Sequence, residues 1–347
     1  MRLNVKRNGQ RPLPQLAAKL NFSSHWKIIR AELAQTETQL IQQAEFFDPS
    51  VKGYVEYAVE SHGKRLRPAL CLLCGGATGG LRDCHHHLAT TIELVHLATL
   101  AHDDILDGAL ARRAKPTCHA KWGPELAVLL GDCLFAHALK LGARLPGKET
   151  SKKIADAAVE VCSGEIMQTQ RRFDLQLSVA DYFRIISMKT AALFRVATEL
   201  ASSMNHAPEA CTQACRAYGQ EFGVAYQIYD DCLDWFGAEQ TAGKTLGTDL
   251  AKGKLTLPLI HVLQQARNAE RDTITGLILQ KDESSRRALA AKIVHYGGHL
   301  FAARKARECL DRAQRGLKSL PKTPHQSALK NIAETLKQHM GKSFGQI

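Results

Sequence analysis

His96-Leu97-Ala98-Thr99-Leu100-Ala101-His102-Asp103-Asp104-Ile105-Leu106-Asp107 is a mostly apolar run that ends in three carboxylates. On a helix, Asp103 and Asp107 share a face about 6 Å apart along the axis, with Asp104 beside Asp103. The arrangement returns later, where Val224-Ala225-Tyr226-Gln227-Ile228-Tyr229 leads into Asp230-Asp231-Cys232-Leu233-Asp234. Like charges this close repel one another, and a hard cation between them relieves the repulsion. One such cluster can be a solvated acidic helix end. Two of the same spacing, each closing an apolar helix, point to metal ions. Oxygen-only ligands select Mg2+ or Mn2+ over zinc, and magnesium usually bridges carboxylate to phosphate, so a phosphate site is expected nearby.

The rest of the chain reads at helical period: Trp26 to Phe47, Pro68 to Ala77, His86 to Leu106, Glu125 to Leu145, Ser151 to Asp174, Ala180 to Met204, Pro208 to Phe236 and Leu257 to Arg267, with three more helices after Lys281 ending near Met340. No alternating strands joined by a hairpin turn are visible. The helices between about 86 and 238 are apolar on more than one face, as central members of a bundle are. No composition shift marks a domain boundary. The fold class expected is all-α: one domain over 1–347, a bundle of ten or more helices around a central substrate cavity, preceded by a basic and mobile segment 1–22.

Composition narrows the function classes. The 347 residues are 45% hydrophobic and 23% charged, as in a folded, soluble protein. The net charge of +12 favours polyanionic partners: nucleic acid, an anionic membrane or a phosphorylated substrate. Aromatic residues make up only 6%, and no nucleic-acid-binding motif is present, so nucleic acid is not expected. No signal segment or membrane span appears, and ten cysteines in mostly apolar helices fit a reducing cytoplasm.

Basic groups accompany the carboxylates. Gly63-Lys64-Arg65-Leu66-Arg67-Pro68 opens a helix, where free N–H donors and cations make an anion site. Arg112-Arg113 follows the first cluster; Lys244 and Lys252-Gly253-Lys254 follow the second. The pairing suggests one polyphosphate held through metal and another held by guanidinium and ammonium groups.

These residues, together with Gly164-Glu165, Lys189-Thr190 and Gly253-Lys254-Leu255-Thr256-Leu257-Pro258, resemble in order the trans-polyprenyl diphosphate synthases, the head-to-tail elongators of isoprenoid chains. The resemblance implies the isoprenoid synthase fold and a catalytic set of Asp103, Asp104, Asp107, Lys189, Thr190, Gln227, Asp230, Asp231 and Lys254. It implies that Lys64, Arg67, His96 and Arg113 hold isopentenyl diphosphate without metal. Arg112, Lys189, Thr190, Gln227, Lys244 and Lys254 would bind the allylic diphosphate. Asp103, Asp107, Asp230 and Asp234 would ligate Mg2+, three ions per site with substrate bound. Ala114 and His62 stand where the family usually has glycine, which alters loop freedom rather than ligand chemistry. The resemblance also implies a homodimer, and product release would bring transient contact with a membrane.

Ala98 and Thr99 lie about one turn below Asp103, where short-chain relatives carry an aromatic block, so a product longer than farnesyl is expected. Leu134, Phe135, Ala138 and Leu139 are candidates for the tunnel floor. The alternatives are a geranylgeranyl-length synthase, a terpene cyclase of the same fold, and a noncatalytic subunit of a heteromeric synthase. The last should have lost ligands that this chain keeps. Cys71 and Cys74 with Cys84 and His85-His86-His87 superficially resemble a zinc site, but the cysteine pair falls in an apolar helix and the histidines read as a solvated helix start.

Overall fold

The computed structural model describes residues 20–60, 63–112, 115–237, 246–280 and 282–344. Most of the segment 1–22 therefore lies outside the described residues, as do His62, Arg113, Ala114 and Lys244; Leu20 and Phe22 are buried. The fold is all-α. A 3-10 turn, His25–Ile29, leads into α1, Arg30–Gln42. Then come α2, Pro49–Val59, and α3, Leu66–Ala77, followed by α4, Asp83–Leu106. A two-residue antiparallel ladder, β1 (Ala111–Arg112) with β2 (Lys115–Pro116), precedes α5, Cys118–Trp122, and α6, Pro124–Gly142. The chain continues through α7, Thr150–Gln170, α8, Val179–Ile186, a π-helical turn, Ser187–Ala191, α9, Ala192–Ser203, and α10, Glu209–Phe236. It closes with α11, Thr248–Ala251, α12, Leu257–Gln265, α13, Asn268–Gln280, α14, Glu283–His295, α15, Gly298–Gly316, and α16, Pro324–Phe344.

The long apolar helices found by periodicity are the central ones: α4 packs on α6, and α10 on α9 and α15. The helices α2, α5, α11 and α13 escape the pattern because they are short or weakly patterned. Their starts are nevertheless encoded locally in places, as where Asp48 accepts from the Ser50 N–H at 2.9 Å and Pro49 fills the first turn of α2. The histidine run is a correction. His85 and His86 are buried rather than solvated: His85 Nε2 lies 3.0 Å from the Ala201 carbonyl, its Nδ1 accepts from the Arg82 N–H, and His86 meets Thr36. Among the described residues no three His, Cys, Asp or Glu side chains converge to hold a metal, and Cys71 and Cys74 are buried thiols. No helix among the described residues is long and apolar enough to cross a membrane.

An aromatic ladder on α10 anchors the centre. Tyr218 stacks on Phe222 at 5.9 Å and Phe222 on Tyr226 at 6.2 Å, at the i, i+4 spacing of one helix face, while Phe194 of α9 meets Phe222 edge-on at 5.8 Å. Close backbone approach sets the position of the π-helical turn between α7 and α10. A Cβ on Gly164 would stand 2.6 Å from the Lys189 backbone nitrogen, and one on Gly223 would stand 2.7 Å from the Ala191 Cα. Replacing Gly223 by Ala should gain about 1 kcal/mol of helix propensity. Because the obstacle is backbone, overpacking of about 1–3 kcal/mol opposes that gain. The net expectation is a lower midpoint in thermal unfolding; a raised midpoint would show that α9 and α10 can part without cost.

Candidate active site

The first carboxylate cluster closes α4. Asp104, 6% exposed, takes the Arg112 guanidinium at 2.8 Å from Nε and 2.6 Å from Nη2, so the hairpin after α4 is tied back to the helix end. Burial disfavours the Arg112 charge, but Asp104 outweighs it and raises the pKa. Asp107 accepts from Lys254 at 2.8 Å and lies 3.3 Å from Lys252. Burial pushes the Asp107 carboxyl up, yet the lysines more than offset it and hold its pKa below the ordinary value. Asp103 lacks a cation as close, and burial, helped by Glu165 and Asp107, pushes it up to about 6 against the pull of Lys189 and Lys254.

The pair Lys189-Thr190 connects the two clusters. The Lys189 ammonium forms a short ion pair with Glu165 and donates to Gln168 Oε1 at 2.9 Å. Burial works against its charge, but Asp103 and Glu165 raise its pKa above the lysine norm. The next residue, Thr190, donates to Gln227 Oε1 of α10 at 2.7 Å. Gln227 Nε2 in turn donates to Asp231 Oδ1 at 2.7 Å, and the Tyr182 hydroxyl donates to Asp231 Oδ2 at 2.6 Å. Asp231 is thus enclosed by donors; burial pushes its carboxyl up to about 8, with the two hydrogen bonds pulling the other way. One π-helical turn, a form frequent at functional sites, faces Asp103 through Lys189 and α10 through Thr190.

Asp230 is half-buried beside this network, while Asp234, 2% exposed, accepts from the backbone N–H of Gly247 at 3.0 Å and of Asp249 at 3.4 Å. Asp234 therefore orders the turn at 247–249. Phe173 donates its N–H to the Gly253 carbonyl at 2.8 Å, joining the end of α7 to the loop that carries Lys252 and Lys254.

The second basic group gathers at the start of α3. The Arg67 guanidinium lies 4.5 Å from the Phe194 ring centre, and Lys64 stands 5.9 Å from that of Tyr226, over the α10 aromatic ladder. Between them Arg65, in the left-handed conformation, turns inward to Glu37 of α1 at 2.7 and 2.8 Å and to Glu93 of α4 at 2.8 Å. Glu93 is one turn before His96, so this anchor ties the start of α3 to the α4 helix that carries His96. Gln168 and Tyr182 are not singled out by the sequence, and Arg65, Glu165 and Lys252 are named there only within quoted motifs, with no role of their own. Tyr182 is seven residues before Lys189 and carries no local signal. Below Asp103, Ala98 is fully buried and the Thr99 hydroxyl donates to its own helix at His96, leaving its methyl as the free apolar group. Leu134 and Ala138 are buried, Phe135 packs on His102, and Leu139 is 41% exposed, outside the floor of a tunnel within one protomer.

The donor set suits magnesium as it binds beside phosphates. It is all oxygen, the described side chains do not converge into a ready-made protein cage, and Asp107 is paired with two lysines that an incoming phosphate can attract.

A family model described as polyprenyl synthetase matches residues 48–295. The all-trans-nonaprenyl-diphosphate synthase (geranyl-diphosphate specific) of Rhodobacter capsulatus is 36% identical over 278 residues, covering 80% of this chain and 85% of that protein. Heptaprenyl diphosphate synthase component 2 of Geobacillus stearothermophilus is 33% identical over 250 residues, 72% of this chain and 78% of that one. The crystal structure of a polyprenyl synthase from Caulobacter crescentus CB15, complexed with calcium and isoprenyl diphosphate, matches with a TM-score of 0.86 at 31% identity, covering 94% of this chain and 99% of that one.

The raised Asp103 pKa makes metal binding proton-linked. Below pH 6 a cation must displace the Asp103 proton, so the affinity for Mn2+ should fall about tenfold per pH unit there and level off above about pH 7. Calorimetric titration from pH 5 to 8 measures this, and Asp103→Asn should flatten the profile.

Proposed function

The chain belongs to the polyprenyl synthetase family, and from that premise we propose that it condenses isopentenyl diphosphate with an allylic diphosphate at the site between α4 and α10, giving a product longer than farnesyl diphosphate. The observation that carries this reading is the π-helical turn, which sets a buried lysine beside Asp103 and a hydroxyl–amide pair beside the second aspartate cluster. Asp103, Asp107 and Asp230 would hold Mg2+, with three ions per site. The ions supply Lewis-acid stabilisation of the departing diphosphate. Arg112, Lys189, Lys252 and Lys254 neutralise the same group. Asp104 and Asp234 act one step back, Asp104 by fixing Arg112 and Asp234 by ordering the loop after α10. Thr190 and Gln227 place oxygen lone pairs against the allylic cation. The isopentenyl double bond attacks that cation, and the proton lost in closing the new alkene passes to the departed diphosphate.

Lys64, Arg67 and His96 supply the metal-free site for isopentenyl diphosphate, a second cationic group that a terpene cyclase would not need. Retention of both ligand sets argues against a noncatalytic subunit. The small Ala98 and the self-bonded Thr99 leave the region below Asp103 without an aromatic block. The long-chain relative agrees with that reading.

The partner is a second copy of this chain. On α6, Leu129 is 59% exposed and Val128 42%, and on α7, Val159 is 66% and Ile166 59% exposed. Two helices with uncovered apolar stripes are better explained by a mate than by solvent. The mass in solution should be twice 38.2 kDa, and sedimentation as a monomer at micromolar concentration would refute this assignment.

The decisive assay is incubation with labelled isopentenyl diphosphate and a series of allylic primers, with and without Mg2+. Metal-dependent condensation is expected, with Ala98→Phe shifting the products toward fewer isoprene units by mass spectrometry. Absence of condensation with every primer, or indifference to metal, would overturn the reading. Unchanged product length in the variant would remove Ala98 from the tunnel.

A further inference from the structure

We propose that Tyr182 is a positioning residue which, through Asp231, fixes the Gln227 amide with its oxygen rather than its nitrogen toward the allylic cation. The inference rests on the site assignment made under Proposed function and adds to it a residue that never touches substrate.

The two ends of a glutamine amide are alike in shape and opposite in polarity. Nε2 carries hydrogens with partial positive charge, and Oε1 carries lone pairs. Their orientation decides whether the amide attracts or repels a developing carbocation. Here the partners leave one arrangement. In the ionised form, with both oxygens accepting as they do here, Asp231 takes Nε2 on Oδ1, at 2.7 Å. The opposite end, Oε1, is then turned to the Thr190 hydroxyl, which donates to it at 2.7 Å. Oε1 retains a second lone pair and Thr190 Oγ retains both of its own, so the pair presents an electronegative edge. Turned over, the amide would aim N–H groups at the cation and set its oxygen against the Asp231 oxygen.

Asp231 can enforce this only if it is itself held, and Tyr182 does that. Its hydroxyl donates at 2.6 Å to Oδ2, the oxygen that Gln227 leaves free. Tyr182 is 4% exposed and packs edge-on against Phe183 at 5.7 Å, so it is well ordered. Asp231 is 6% exposed, leaving little access for water to stand in for the lost donor. With an oxygen committed to each of two donors, Asp231 differs from Asp103 and Asp107: it orients an amide where they meet cationic groups. The chain of contacts crosses three elements, from α8 to α10 to the π-helical turn, and ends at the residue following Lys189.

The test is Tyr182→Phe, which keeps the ring and removes only the donor. Wild-type condensation is scored first; its failure would refute the site assignment itself, and this inference with it. With active wild type, the variant should lose about tenfold in kcat, as expected for misdirecting one dipole at a transition-state charge, while KM for both substrates stays within about twofold. An ammonium analogue of the allylic cation should bind about tenfold more weakly to the variant, whereas an uncleavable allylic thiodiphosphate should bind equally well. In a Gln227→Leu background, where there is no amide to orient, adding Tyr182→Phe should change kcat by less than about twofold. Unchanged kcat in the single variant, equal weakening of both analogues, or the same loss in the Gln227→Leu background would each overturn the proposal. If Tyr182→Phe does not fold, Asp231→Asn replaces it in all three measurements and is read by the same outcomes. An asparagine offers a donor as well as an acceptor, and so releases the amide to turn.

Discussion

Charge at depth is the constraint around which this chain is arranged. Carboxylates at the ends of apolar helices, if left unpaired in the interior, would cost several kcal/mol each or take up protons. The chain meets each with a different counter-group. Asp104 has a guanidinium from the following hairpin, Asp107 has two ammonium groups from a loop far along the sequence, and Asp231 has two neutral donors. Asp103 lacks a cation as close as those of Asp104 and Asp107, and burial raises its pKa to about 6. Its environment thus favours an arriving cation, while the lysines beside it favour an arriving anion. A metal–diphosphate pair meets both demands at once.

The same need explains features that look merely structural. Arg65 occupies a backbone conformation uncommon for residues other than glycine, and it is held there by Glu37 and Glu93 from two different helices. Its neighbours Arg67 and Lys64 stand over the rings of Phe194 on α9 and Tyr226 on α10. Gly164 and Gly223 serve the site in another way. By letting backbone approach backbone on both sides of the π-helical turn, they bring Lys189 and Thr190 between helices that are distant in sequence.

Helix class, the identity of the central helices and the two aspartate clusters were legible because each is written in local periodicity. Apolar residues at period 3.6 mark a helix whatever lies around it, and carboxylates four apart on that helix share a face in any fold. The histidine run shows where such reading ends. Three consecutive polar residues at a helix start look solvated, yet His85 finds the Ala201 carbonyl, a partner more than a hundred residues away. Arg113 and Lys244 lie outside the described residues, and their expected roles rest on resemblance.

What the sequence by itself determined is therefore the chemistry on offer: helical scaffolds, oxygen ligands, and cationic groups in numbers that suit phosphates. What only the tertiary structure decided is the division of labour among chemically identical side chains. Asp104 clamps an arginine, Asp234 orders a turn, Asp231 holds an amide, and Asp103 stands beside a buried lysine. Nothing in the repeated aspartate spacing distinguishes these roles. The partners range from Gln227, four residues from Asp231 on the same helix, to Tyr182, 49 residues from it on another, and a carboxylate takes its function from whatever donor or cation the fold brings within about 3 Å of it.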